Sequence, residues 1–114
     1  MVEDRSSSDL DAVFHALGDE TRRRMLLSLG AGALSVGQLA APFSMSLAAA
    51  SKHVKALESA GLIRRQVRGR THLLRLEPAP LAHAQDWIAR TEGFWTQRLR
   101  RLDEALREDL EGSA

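Results

Sequence analysis

The side chains best placed to do chemistry in this chain are basic. Residues 46–75 read SLAAASKHVKALESAGLIRRQVRGRTHLLR and contain Lys52, Lys55, Arg64, Arg65, Arg68, Arg70 and Arg75 against one acid, Glu58. The stretch carries a net +6 in a chain whose formal net charge is +1, so the remaining residues sum to −5. An asymmetry of this size turns one face of the molecule toward a polyanion. Nucleic acid fits, because side chains that neutralise phosphates release condensed counterions. None of the aromatic residues Phe14, Phe43, Trp87, Phe94 and Trp95 lies in the basic stretch. Single-strand binders stack bases on aromatic rings, so the pattern favours double-stranded DNA. Duplex RNA fits less well, since its deep, narrow groove does not admit a helix.

Other chemistries are poorly served. Cysteine is absent, which removes disulfides, thiol redox sensing and thiolate metal sites together. His15, His53, His72 and His83 form no nucleophile–base pattern, and there is no glycine-rich phosphate loop. No catalytic residue, no enzyme activity and no cofactor is therefore expected. With 114 residues, 44% of them hydrophobic and 27% charged, the chain reads as one globular domain with a modest core. No apolar run approaches the roughly 20 residues of a membrane span. The acidic, polar start MVEDRSSSDLD is unlike a signal peptide. A cytoplasmic location with no membrane partner is expected.

The elements that must position the basic side chains can be placed from caps and periodicity. Residues 1–7 read as disordered. Ser8 or Asp9 caps a first helix, 8–17, in which Leu10, Val13, Phe14 and Leu17 follow helical spacing, and Gly18 ends it. Asp19 caps a second, ETRRRMLLSL, closed by Gly30; its run Arg22, Arg23 and Arg24 reads as a solvated face more than a nucleic-acid contact. Ala33–Leu34 is extended. Ser35 caps a third helix with Val36, Leu39 and Ala40 inward, which Pro42 stops. Ser46 caps a fourth, running to about Ala60 and terminated by Gly61. Two short helices around a tight turn, the second one basic, form a helix-turn-helix pattern. Strands 62–67 and 71–76 follow, joined at Arg68-Gly69-Arg70, where glycine supplies the positive φ of a hairpin tip. Pro78 and Pro80 precede a long helix over 81–110, and 111–114 form a tail. The class is mainly α with a small β-hairpin, a winged helix-turn-helix over 8–110.

On a wheel of the fourth helix, Ala50, Val54 and Leu57 fall inward, whereas Ala48, Ser51, Lys52, Lys55 and Ser59 face out. Small outward residues let a helix sit deep in a major groove, and lysines there reach phosphates or guanine edges. The unpaired N–H groups of the first turn, at Ser46 and Leu47, suit a phosphate. His53 borders the apolar face and reads more as a half-buried packing residue with a polar tip than as a base reader. The DNA-facing set is thus Ser46, Leu47, Ala48, Ser51, Lys52, His53 and Lys55 from the helix, with Arg64, Arg65, Arg68 and Arg70 from the hairpin. Arginines flanking Gly69 suit a minor groove or the backbone; a merely charged, soluble turn is the weaker reading. The last helix carries more apolar surface than one small core absorbs. Trp87, Ile88, Trp95, Leu99 and Leu102, with Leu10 and Phe14 of the first helix, are the expected homodimer interface. The other reading folds that helix back on its own domain.

The segments FHALGDETRRRMLLSL, SVGQLA, MSLAAASKHVKALESAGLIRRQVRGRTHLLRLEPAPL and GFWTQRLRRLDEAL resemble the ArsR family of winged-helix repressors over roughly residues 9–107. The likeness is nearest to its cysteine-free branch, often encoded beside SRPBCC-type proteins. The resemblance implies a homodimer joined by its first and last helices, a recognition helix starting at Ser46, a wing over Arg64–Arg75, and repression that an inducer relieves in many relatives. It also exposes departures. Metal-sensing members carry a cysteine pair in the helix corresponding to 35–41, where Ser35 and Val36 stand here. Others use His and Asp on the last helix; His83 and Asp86 could share a face, but no second pair follows, and a tetrahedral site takes about four ligands. No metal is expected. Leu47 and Ala48 replace a polar residue and a proline common in relatives, so that turn points to apolar contact or shape readout. An interaction module that kept the fold and lost DNA binding is the alternative, and the seven bases argue against it.

Overall fold

The computed structural model describes residues 5–112, with side chains described from residue 9. Within them the order is α1 (Arg5–Leu17), α2 (Glu20–Leu29), β1 (Leu34–Ser35), α3 (Val36–Ala40), α4 (Leu47–Ser59), β2 (Ile63–Arg68), β3 (Thr71–Leu76) and α5 (Ala79–Gly112). The chain divides into two compact units, the first ending at Ala84 and the second beginning at Gln85.

Three helix starts rest on the side chains expected to cap them. Asp19 accepts from the Arg22 N–H at 3.0 Å, and Ser46 accepts from the Ala49 N–H at 3.1 Å. Ser35 forms a full capping box with Gln38: Gln38 N–H donates to Ser35 Oγ at 3.1 Å and Ser35 N–H to Gln38 Oε1 at 2.9 Å.

Three boundaries differ from expectation. α1 begins at Arg5, ahead of the Ser8 or Asp9 start, because no Gly or Pro between Arg5 and Asp9 stops the helix from extending backward. Residues 5–7 are therefore helical, while the rest of the expected disordered segment, 1–4, lies outside the described residues. α5 begins at Ala79, and Pro80 sits inside its first turn, where a missing N–H costs nothing. α5 runs on to Gly112, through the start of the expected tail; 113–114 lie outside the described residues.

The sheet has three strands in the order β1-β3-β2, all antiparallel. Ala33–Leu34 was expected only to be extended; the structure pairs Leu34 with Leu74 and Ser35 with Leu73, adding a third strand to the hairpin. In the hairpin Ile63 faces Leu76 and Arg68 faces Thr71, leaving Gly69 and Arg70 as a two-residue loop. Gly69 has φ +62°, and no residue other than glycine has positive φ among the described residues. Glycine at the first loop position followed by a negative-φ residue is the tight-turn pattern that matches strand twist.

The core draws on every helix of the first unit and on both strands of the hairpin. Val13 comes from α1, Met25 from α2, Leu39 from α3, and Val54 and Leu57 from α4; Leu62 and Leu74 flank the hairpin base, and all seven are less than 3% exposed. Ala84, near the start of α5, is buried with them. No polar side chain is buried among the described residues. Leu10 and Phe14 are half-buried against this core.

The second unit is a helix without a core of its own. Its stripe comprises Ile88, Trp95, Leu99, Leu102, Leu106 and Leu110, all exposed in the single chain, with Trp95 at 57% and Leu99 at 62%. Phe94 and Trp95 meet edge-on at 6.0 Å, and the Arg98 guanidinium lies 5.4 Å over the Phe94 ring.

Candidate nucleic-acid interface

The interface is built around the joint between α4 and the hairpin. α4 ends in a left-handed glycine, Gly61, at φ +74°. Leu62 N–H reaches back to the Leu57 carbonyl at 3.0 Å and Gly61 N–H to that of Glu58 at 2.9 Å. This paired closure satisfies carbonyls the helix would leave open. Both leucines it joins are fully buried, so the last turn of α4 and the first residues of β2 are one packed piece. A side chain at position 61 would be strained whatever space it found.

On α4, Ala50, Val54 and Leu57 are fully buried, as the wheel requires. Ala48, Ser51, Lys52, Lys55 and Ser59 are exposed on the opposite side. Leu47, at the first helical position, is 61% exposed, an apolar side chain offered to solvent beside the free N–H groups of that turn. The wing tip presents Arg68 and Arg70, both exposed. Lys52, Lys55, Arg68 and Arg70 make no ion pair among the described residues. Of the seven basic residues in 46–75, these are the four held by no side-chain partner among the described residues.

Three members of the expected DNA-facing set have partners within the protein, His53 among them as its half-buried reading expects. His53 turns toward the body of the domain, with Nδ1 3.7 Å from Asp19 Oδ2 and 3.5 Å from Arg22 Nη1. Its position beside the apolar face brings it within reach of the cap of α2, so its ring is engaged inside the protein. Arg65 forms a bidentate fork on Glu58, Nη2 to Oε1 at 2.6 Å and Nε to Oε2 at 3.2 Å. That hydrogen bond, and then the Glu58 charge, hold the Arg65 guanidinium above its ordinary value. Arg64 pairs with Glu77 at 3.2 Å but stays 74% exposed; such a surface pair is worth about 0–1 kcal/mol, so Arg64 keeps its reach toward solvent. Arg75 donates to Gln66 Oε1 across the hairpin at 3.1 Å.

The arginine run of α2 is also more than a solvated face. Arg22 donates from Nε to the Ala16 carbonyl at 2.7 Å and from Nη2 to that of His15 at 3.0 Å. Arg23 donates to the Leu17 carbonyl at 2.6 Å. Together they satisfy the open carbonyls at the end of α1. Arg24 lies 4.6 Å over the Phe43 ring. Only the position of the run, one turn after a helix stop, hints at these partners within the sequence.

Asp19 ties this cluster together. The Arg22 N–H is the main cause that holds its carboxyl below the ordinary value of 3.8, with His53 and the Arg22 charge adding to it. The folded state thus favours the charged carboxylate. Its contribution is complete above the unfolded value and is lost as pH falls through the lower folded one. Asp19→Ala is expected to cost about 1 kcal/mol at neutral pH. Melting curves should show the gap to wild type closing below about pH 4.

His83 is half-buried, and Asp86 pairs with Arg90 at 3.0 Å. Among the described residues no three His, Cys, Asp or Glu side chains gather as a metal site, and no helix is long and apolar enough to cross a membrane.

A buried-face helix after a capped turn, locked to a two-stranded wing with cations on both, defines a winged helix-turn-helix transcriptional regulator. Comparison with known proteins agrees. A helix-turn-helix domain family matches residues 17–66. The HTH-type transcriptional regulator Rv2034 of Mycobacterium tuberculosis is 36% identical over 89 residues, covering 78% of this chain and 80% of the relative. The solved ArsR-like transcriptional regulator from Rhodococcus sp. RHA1 is 33% identical with a TM-score of 0.75, covering 86% of this chain and 92% of its own. The solution structure of the homodimeric winged helix-turn-helix DNA-binding domain Mb0332 from Mycobacterium bovis is 28% identical with a TM-score of 0.59, covering 82% and 91%. The chain belongs to the ArsR family of winged-helix transcriptional regulators.

Proposed function

We propose that this protein is a cytoplasmic repressor that binds double-stranded DNA as a homodimer on an inverted-repeat operator. α4 enters the major groove and the wing tip lies on the adjoining backbone or minor groove. The observation that carries this reading is the placement of Lys52, Lys55, Arg68 and Arg70: exposed, with no ion pair among the described residues, and on two elements joined through the packed Leu57–Leu62 closure. Ser46 caps α4 with its hydroxyl, which leaves the neighbouring N–H groups of the first turn to meet a phosphate. Leu47 and Ala48 add apolar contact, suited to a thymine methyl group or to groove shape. Within the family, the absence of cysteine and the FW…RL…L ending support placement in the SRPBCC-associated branch.

The dimer reading rests on the second unit. Ile88, Thr91, Trp95, Leu99, Leu102, Leu106 and Leu110 are spaced so that 88, 99 and 110 repeat every eleven residues. Eleven residues make about 3.67 per turn in three turns, a repeat that winds slowly around the helix and favours a right-handed supercoil. Such an apolar seam pairs with another of the same repeat, and a second copy of the chain carries one. The homodimeric relative from Mycobacterium bovis supports a homodimer, without bearing on which helix joins it.

Selection of bound sequences from a random duplex pool, with light scattering on the complex, tests the proposal. The expected result is an enriched inverted repeat bound by two protomers. No enrichment over bulk duplex would favour the interaction-module reading instead.

A further inference from the structure

Glu58 is the one acid in the basic stretch, and it sits in the last turn of α4, where a negative charge opposes the helix dipole. A lone carboxylate there would also repel the phosphates the neighbouring lysines attract. Its geometry accounts for it. Both carboxylate oxygens receive the Arg65 fork, at 2.6 and 3.2 Å, and both side chains are about one-third exposed, Arg65 at 31% and Glu58 at 30%. The third guanidinium nitrogen, Nη1, lies 3.1 Å from His72 Nδ1. Arginine can only donate, so that ring nitrogen accepts. The register explains the contact: Arg65 faces Leu74 and His72 faces Val67, which makes Arg65 and His72 diagonal neighbours on one face of the hairpin. One side chain on β2 thus holds α4 and β3 at once. Its position in the strand matters. Leu62 and Ile63 are locked in the core, but from Gln66 to Thr71 the hairpin has no buried residue. Arg65 ties the wing to the recognition helix two residues beyond the buried base of β2.

We propose that Arg65 is a positioning residue for DNA binding, a clamp on Glu58 that sets the angle of the wing tip to α4, and that it makes no phosphate contact of its own. This inference rests on the DNA-binding reading. Arg68 and Arg70 can meet the backbone only if the wing stands at the right distance from the helix in the groove. A guanidinium fork holds that angle because it is planar and bidentate; a lysine in its place keeps the charge and loses the fork.

The clamp and a phosphate contact give opposite results for Glu58→Gln. If Arg65 served phosphate, removing the acid would free it, and binding would hold or tighten. As a clamp, Glu58→Gln and Arg65→Lys each weaken binding to a duplex carrying the selected operator by roughly tenfold, with the salt slope unchanged. The exchanged pair, Glu58→Arg with Arg65→Glu, recovers part of the loss. Amide hydrogen exchange over residues 66–71 of the free protein quickens in both single variants, and the melting transition stays cooperative. Equal or tighter binding by Glu58→Gln, or a shallower salt slope for Arg65→Lys, overturns the proposal. Unchanged exchange at 66–71 also overturns it, and that readout needs no DNA. Failure of the wild-type protein to bind any duplex would instead sink the DNA-binding reading.

Discussion

Replacing Lys52 and Lys55 together by alanine is expected to weaken operator binding by about a hundredfold or more while leaving the fold intact. Both side chains are exposed on the outer face of α4 and pair with no acid among the described residues. They stand three residues apart, so they are neighbours on one helical face. A lysine that reaches a base edge is worth roughly 1–3 kcal/mol of discrimination, and two of them multiply in the affinity. Alanine is the best helix former, so α4 loses nothing of its own stability. The buried face, Ala50, Val54 and Leu57, is untouched. Fluorescence anisotropy on the selected operator, with a melting curve beside it, gives the answer. Native melting with unchanged affinity would place the recognition surface elsewhere.

The wing tip should behave differently. Arg68→Ala with Arg70→Ala is expected to lower affinity for cognate and scrambled duplexes alike. Neither side chain supports the core: both are exposed, and they flank a glycine whose own φ makes the turn. A contact of this kind goes to phosphate or sugar and positions the protein without reading sequence. For a dimer the change removes about four phosphate contacts, which flattens the slope of log K against log salt by roughly 3 to 4. The melting temperature should hold. Loss of cognate binding alone, with non-specific binding intact, would make these arginines base readers and move specificity from α4 to the wing. Loss of stability would make them structural.

Local signals and long-range contacts divide what the sequence makes legible. Asp19, Ser35 and Ser46 were readable as caps because a cap is settled within three residues. Gly61 and Gly69 were readable as stops because a positive φ leaves few other residues. The two faces of α4 followed from helical period alone. The commitments of the arginines were not readable. Arg22 reaches His53, thirty-one positions away in sequence, and Arg65 meets Glu58 and His72 only after the wing has folded against α4. A count of basic residues treats Arg65 as it treats Arg68, yet the fold ties one down and leaves the other open. β1 was missed as a strand for a similar reason: two residues carry no period, and their pairing with Leu73 and Leu74 lies across the whole helix-turn-helix. The start of α5 was misplaced because proline reads as a breaker, whereas in a first turn it fits.

The central claim is that a duplex polyanion is held by the cations of α4 and the wing. Its most direct test is the salt dependence of binding to the selected operator. Arg68 and Arg70 give about four phosphate contacts in a dimer, and Lys52 and Lys55 add their charge inside the groove, so log K should fall linearly with log salt at a slope between about −4 and −7. The loss between 50 and 200 mM salt should then be on the order of 10² to 10⁴ in affinity. The variant lacking all four cations should show a much shallower line and a native melting temperature. A flat response from the wild-type protein, or an undiminished slope in that variant, would contradict the account.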